Sequence, residues 1–134
     1  MKKLWSFLIL VPIMFTLGGC IPGFYDNYTI ILKESQVSAN FYDFGGPDQY
    51  VVVKHNDTTI LWTEVKGDRY HAYWWNESAN FKFWTGDVLK VWLMDSDFDE
   101  DDVIAYWVVY DPTDLTKLSK DGHWVKFSVT KSST

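Results

Sequence analysis

The chain has 134 residues, a length that suits one folded domain, and it carries 18 acidic against 12 basic side chains for a formal net charge of −6. Its lysines and arginines do not cluster, so the sequence lacks the basic patch that binding to nucleic acid requires. Aromatic residues make up 19% of the chain, which excludes a disordered linker and indicates a packed core.

The first 20 residues have the layout of an export signal. A basic start, "MKK", precedes an apolar run, "LWSFLILVPIMFTL", that is shorter than a typical transmembrane helix. The run ends in "LGGC", which resembles the bacterial lipobox. The resemblance implies a signal peptide over 1–19, an acylated Cys20 and a tether over 20–27. Ile21, directly after the acylated cysteine, favours an anchor in the outer membrane. The alternative is an ordinary signal peptide that leaves Cys20, the one cysteine of the sequence, as a free thiol.

From residue 28 onward the sequence has a β texture, because Val, Ile, Thr and aromatic residues alternate with polar ones. Turn sequences such as "FGGPD", "NDT" and "DPTD" separate the apolar segments. The pattern predicts an all-β antiparallel sandwich over 28–131, with one helical turn at 112–119. Seven strands are predicted, at 28–34, 49–56, 58–65, 79–84, 88–94, 103–110 and 123–130.

No catalytic motif stands out in the sequence. His55, His71 and His123 lie on or beside strand patterns, and none stands near a nucleophile. His55 and His71 could each meet a carboxylate across strands, although a chance surface histidine is the more common case. We therefore expect a binding protein and not an enzyme.

Residues 95–102 read "DSDFDEDD" between two apolar strand patterns. Two carboxylates about 5 Å apart repel by roughly 3 kcal/mol at an effective dielectric near 20, so such a run suits a bound cation. An EF-hand is excluded, because Glu100 and Tyr106 occupy the positions of its glycine and its last glutamate. The alternative is a solvated acidic loop that binds no cation.

Three blocks in order resemble a C2 domain, the calcium- and phospholipid-binding sandwich: "YDFGGPDQYVVV" (42–53), "WWNESANFKF" (74–83) and "LKVWLMDSDFDEDDVIAYW" (89–107). The resemblance implies an eight-stranded sandwich with calcium held between its first and third loops. Gln49 and Ala105 depart from the family pattern, and both loop spacings are short. Carried over by position, the implied calcium ligands are Asp43, Asp48, Asp95, Asp97 and Asp102, with Asp101 or Asp99 as substitutes for the last.

Two aromatic residues of these blocks bear on the membrane. Phe44 and Phe98 would lie at the tips of the calcium loops, where each could contribute roughly 1.5–3 kcal/mol on burial in a bilayer, or could fold back over its own loop. The expected function is that of a membrane-anchored lipoprotein that binds calcium and docks on phospholipid or on an envelope protein. The alternative is a structural module of the cell envelope that either binds no calcium or uses calcium only to stabilise its fold.

Overall fold

The computed structural model of the protein describes residues 24–41 and 45–132. The predicted signal peptide, Cys20, Asp43 and Phe44 lie outside the described residues. Within the described part, no helix has the length and hydrophobicity needed to cross a bilayer.

The described residues form an all-β protein, which confirms the predicted fold class. One short 3₁₀ helix, η1 (Pro112–Thr116), interrupts the β structure. The strands within the described ranges are β1 (Tyr25–Gln36), β2 (Gln49–His55), β3 (Thr58–Trp62), β4 (His71–Tyr73), β5 (Ser78–Trp84), β6 (Leu89–Asp95), β7 (Asp102–Val109), β8 (Leu118–Lys120) and β9 (His123–Ser132).

The strands build two antiparallel sheets. Sheet A has the order β4-β1-β9-β8, and β5 also pairs with β1, whereas sheet B has the order β3-β2-β6-β7. Strand β5 pairs with Tyr25–Ile31 of β1, and β4 pairs with Glu34–Gln36 farther along the same edge. β4 and β5 therefore occupy the same place in sheet A, one after the other beside β1. Counted in this way, each sheet is four strands wide, which agrees with the expected eight-stranded sandwich.

Three loops lie together at one end of the sandwich, which we call the loop end. They are the first loop (described over 37–41 and 45–48, between β1 and β2), the second loop (63–70, between β3 and β4) and the third loop (96–101, between β6 and β7). The turns after β2 and β5 lie at the opposite end, the far end, together with the start of β1 and the last residue of β9. One strand precedes the first loop, as the sequence predicted.

The core forms between the sheets because the strands alternate in burial. In β6, Leu89, Val91 and Leu93 are fully buried while the residues between them face outward. Ile30 and Leu32 of β1 supply the matching side chains of sheet A. These apolar side chains fix which face of each strand points inward, and so also which face points to solvent.

Three local details differ from the sequence prediction. Strand β1 begins at Tyr25, within the predicted tether, because Tyr25 pairs with Trp84 of β5. The predicted helical turn at 112–119 ends early: Asp111 caps a 3₁₀ helix with Pro112 in its first turn, and the chain is extended again from Leu118. Strands β4 and β8 were not predicted, since three residues are too few for a visible alternation.

Candidate cation site at the loop end

Asp48, the last residue of the first loop, connects all three loops. Its backbone N–H donates to Asp95 Oδ1 at 2.8 Å, and its carbonyl accepts from Ser96 N at 2.9 Å, which binds it to the third loop. Its own Oδ1 accepts from the backbone N–H of Asp68, in the second loop, at 2.7 Å. The structure therefore brings together Asp48 and Asp95, two of the predicted ligands.

Asp95 ends β6 and is 2% exposed. A buried carboxylate is stable only where donors or cations replace its water, and the Asp48 N–H is one such donor. Asp102, the first residue of β7, is the cross-strand neighbour of Asp95. Side chains in that relationship have Cβ atoms about 5 Å apart and share one face, so Asp102 stands beside Asp95.

The third loop is braced by Asp101. Its Oδ1 accepts from Asp97 N at 3.2 Å, and its Oδ2 accepts from Tyr50 Oη at 2.6 Å. Burial, together with the Asp101 carboxylate, raises the pKa of the Tyr50 hydroxyl to about 12, so this hydroxyl stays a donor at physiological pH. Both oxygens of Asp101 are thus engaged within the loop and with β2, whereas Asp99 is exposed.

Phe98 lies at the tip of the third loop with its whole side chain in solvent, at 104% relative exposure. The alternative in which it folds back over the loop is therefore wrong. A fully exposed phenylalanine between aspartates has no packing role within this domain.

Sequence reasoning missed Asp68. A Cβ built on Gly45 of the first loop would lie 3.2 Å from Asp68 Oδ1, so this carboxylate packs against the first loop beside Asp48. In the sequence Asp68 is only part of the turn "KGD". Its place becomes visible once β3 and β4 are assigned to different sheets, because the connection between them must then cross the loop end.

The donor chemistry at the loop end fits calcium, which takes six to eight hard oxygen ligands. Acidic side chains reach this end from three loops, although no group of three Asp, Glu, His or Cys side chains that could hold a metal ion occurs within residues 24–41 and 45–132. The predicted ligand Asp43 lies outside those ranges. The full ligand set therefore stays a prediction, as do the roles of Asp97, Asp99 and Asp102.

The histidines are more constrained than the sequence suggested. His55 Nε2 lies 2.7 Å from Asp87 Oδ2, and His71 Nε2 lies 2.8 Å from Glu34 Oε2. His123 Nδ1 accepts from the backbone N–H of Ser38 at 2.9 Å. His71 thus meets a carboxylate across strands, whereas His55 meets one from the turn before β6.

Solved structures resemble this fold closely enough to name it. A human GIVD cytosolic phospholipase A2, in complex with methyl gamma-linolenyl fluorophosphonate inhibitor and terbium chloride, aligns with a TM-score of 0.69 at 18% identity over 84% of this chain and 18% of its own. A structure described simply as a C2 domain aligns with a TM-score of 0.61 at 17% identity over 81% of this chain and 99% of its own. The chain has the C2 fold.

A single domain of plant extended synaptotagmin 1 adds a third C2 neighbour, with a TM-score of 0.56 at 17% identity over 79% of this chain and 93% of that domain. No protein-family model matches the chain, and no curated protein sequence matches it. The chain spans about a fifth of the human phospholipase and most of each isolated C2 domain. At these identities the similarity concerns the fold of the C2 domain alone.

Proposed function

We propose that the protein is a lipid-anchored C2-like module that docks on phospholipid when its loops bind calcium, and that it acts by binding and not by catalysis. The observation that carries this proposal is the position of Phe98. This fully exposed side chain projects from the same loop end at which Asp48, Asp68 and Asp95 meet. An acidic loop tip is repelled by an anionic lipid surface until a cation neutralises it.

Calcium would supply the neutralising charge and would hold the first and third loops together through carboxylate oxygens. Asp48 and Asp95, which a hydrogen bond brings together, would hold it with Asp102, and Asp43 and Asp97 are the remaining predicted ligands. The human phospholipase was solved with terbium chloride, and Tb³⁺ is a hard, oxygen-seeking cation of the same kind. That similarity supports the proposal without transferring a site.

The predicted anchor would join the sandwich at the end opposite the loops, and this bears on which surface the loops would face. Strand β1 starts at the far end with Tyr25 and runs 12 residues to Gln36, next to the first loop. At about 3.3 Å per residue this strand spans about 40 Å. The four steps from Cys20 to Phe24 reach at most about 14 Å. An upright domain therefore presents Phe98 to a surface opposite its own membrane.

The test uses residues 21–134 and vesicles of phosphatidylserine and phosphatidylcholine. We expect sedimentation with the vesicles only when calcium is present at about 0.1–1 mM or above, the range of extracellular calcium modules. Phe98→Ala should abolish the sedimentation without changing the melting temperature, because this side chain contacts solvent alone. Tyr110→Ala is the matched control, since Tyr110 is 73% exposed but lies at the far end.

A structural role is the second candidate, and the buried position of Asp95 favours it. Calcium would then act as a staple: it would raise the melting temperature of the protein, and Asp95→Asn/Asp97→Asn would remove that rise, while the protein would not sediment with vesicles. Absence of any calcium effect at several millimolar would contradict both calcium roles.

A further inference from the structure

The outer face of sheet A mixes polar and aromatic side chains where β1 and β5 meet: Thr29 donates to Asn80 at 2.6 Å, and Tyr25 packs against Trp84. The outer face of sheet B is mostly aromatic and aliphatic. Its side chains include Tyr50, Val52, Trp62, Trp92, Met94, Val103 and Tyr106. A solvated antiparallel sheet normally presents polar residues outward, so this second face requires another explanation.

The register of sheet B builds a slot on this aromatic face. Val52 pairs with Trp62 on one side and with Trp92 on the other. The Cα atoms of the two tryptophans are therefore two strand spacings apart, about 9.5 Å, with the smaller, buried Val52 between them. The structure has an open groove of about 280 Å³ at this place. A flat ring lying in this groove would contact the exposed part of Trp62 and would lie near Trp92 and Lys54 across β2.

The tryptophans on both sides of the slot are fixed by contacts within the protein. Trp62 stacks on Tyr50 with ring centroids 5.8 Å apart and planes at 12°, and Asp101 fixes the hydroxyl of Tyr50. On the other wall Tyr106 packs against Trp92 at 4.9 Å. Trp62 is nevertheless 64% exposed, so a large part of its ring is available to a ligand.

Lys54 gives the slot its charge. Its ammonium lies 5.4 Å from the centre of the Trp92 ring, and it joins none of the ion pairs found among the described residues. Lys90, its neighbour on β6, is already paired with Asp57 at 2.6 Å. Asp57 also attracts Lys54, but from farther away. The Lys54 ammonium lies beside aromatic rings, which favours a ligand with an anionic group on an otherwise apolar ring.

The groove on this face, about 280 Å³, is small and suits a short, narrow chain molecule. Sugar rings present polarised C–H groups to the negative face of an aromatic ring and hydroxyl groups at their edges.

We propose that this aromatic slot binds a carboxylate-bearing glycan, with one uronic-acid ring between Trp62 and Trp92 and its carboxylate on Lys54. The slot lies beside the third loop, to which the Tyr50–Asp101 hydrogen bond connects it, and the proposed binding needs no calcium. Binding at the slot leaves Phe98 and the loops accessible, so the two surfaces can be occupied together.

Isothermal titration of the full chain in a mild detergent with EDTA tests the proposal. The probes are a hyaluronan tetrasaccharide, which contains glucuronic acid, and chitotetraose, a neutral chain of similar length. The acidic tetrasaccharide should bind, and Trp62→Ala should weaken its binding by about tenfold or more. Lys54→Met should remove the preference for the acidic probe, whereas Lys54→Arg should keep it. Trp75→Ala is the matched control, because Trp75 is 78% exposed on another surface.

Several results would overturn the proposal: no binding of either probe, equal binding of both, or unchanged binding by Trp62→Ala at an unchanged melting temperature. A dimer in sedimentation velocity that Trp62→Ala disperses would show that a second copy covers the face instead. Because EDTA is present throughout, failure here is independent of the calcium proposal.

Discussion

Asp87, a turn residue at the far end, holds two turns together through its carboxylate. It lies in the turn "TGD" and accepts hydrogen bonds from the backbone of Trp84, from Asn56 Nδ2 and from His55. Burial raises the pKa of Asp87, but these three hydrogen bonds outweigh burial and the net pKa lies below its ordinary value of 3.8. The carboxylate thereby connects the turn after β2 to the turn after β5.

Asp87→Asn tests this connection through pH. A lowered folded-state pKa means that the ionised carboxylate stabilises the fold fully above pH 3.8, and that this stabilisation is lost as pH falls through the folded-state pKa. At neutral pH the variant should unfold about 1–2 kcal/mol more easily, because it forfeits charge-assisted hydrogen bonds. Denaturant melts of both proteins from neutral to strongly acidic pH should converge at the acidic end. A constant difference across the range would contradict the role of the charge.

The residues of the candidate site were predictable in different degrees. Asp48 and Asp95 were predicted because their motifs place them at the ends of recognisable strands, and the structure brings the two together. Asp68 was missed because its position depends on which sheet receives β4. The slot between Trp62 and Trp92 was missed as well, since a register between three strands is needed before two distant tryptophans become neighbours. Single residues in strands are visible in sequence, whereas cross-strand groupings depend on register.

At the scale of elements, backbone packing holds the loops together as much as the hydrogen bonds of their aspartates do. Gly46 in the first loop has φ of +101°, and a Cβ there would lie 3.1 Å from the backbone nitrogen of Arg69 and 3.1 Å from the carbonyl carbon of Asp68. The first and second loops therefore touch backbone to backbone at this glycine. Gly86, at the far end, has a similar φ of +94° but open space around it.

Gly46→Ala should lower the free energy of unfolding by about 2–4 kcal/mol, whereas Gly86→Ala should lower it by about 1–2 kcal/mol. The first substitution adds a backbone clash to the strain of a left-handed conformation, and the second adds the strain alone. Chemical denaturation of both variants separates the two contributions. Equal losses would mean that the two loops do not depend on this contact.

At the scale of the whole molecule, one buried polar side chain joins the two sheets near the loop end. Gln49 of β2 is fully buried, accepts from the Ser35 hydroxyl of β1 and donates to the carbonyl of Arg69 in the second loop. In the sequence Gln49 stands out only as a departure from the proline of the C2 pattern. Its role required knowledge of which strands face each other across the core.

Gln49→Leu should lower the free energy of unfolding by about 2–4 kcal/mol, because it leaves the buried Ser35 hydroxyl and the Arg69 carbonyl without this partner. The double variant Gln49→Leu/Ser35→Ala should recover part of that loss, since it removes the hydroxyl that Gln49→Leu leaves without this partner. A double-mutant cycle measured by chemical denaturation gives the coupling energy. Strictly additive losses would show that the two side chains do not stabilise one another.

The course of β1 also sets how the domain would respond to force. A load applied between an anchored Cys20 and a docked loop end would run along the axis of β1, from Tyr25 to Gln36. Hydrogen bonds between β1 and β9 lie across that axis, so they would be strained together in shear and not opened one after another. Rupture would then require many bonds to fail at once, which lowers the rate of forced unfolding. Such a strand would make the sandwich a tension-bearing link between two surfaces.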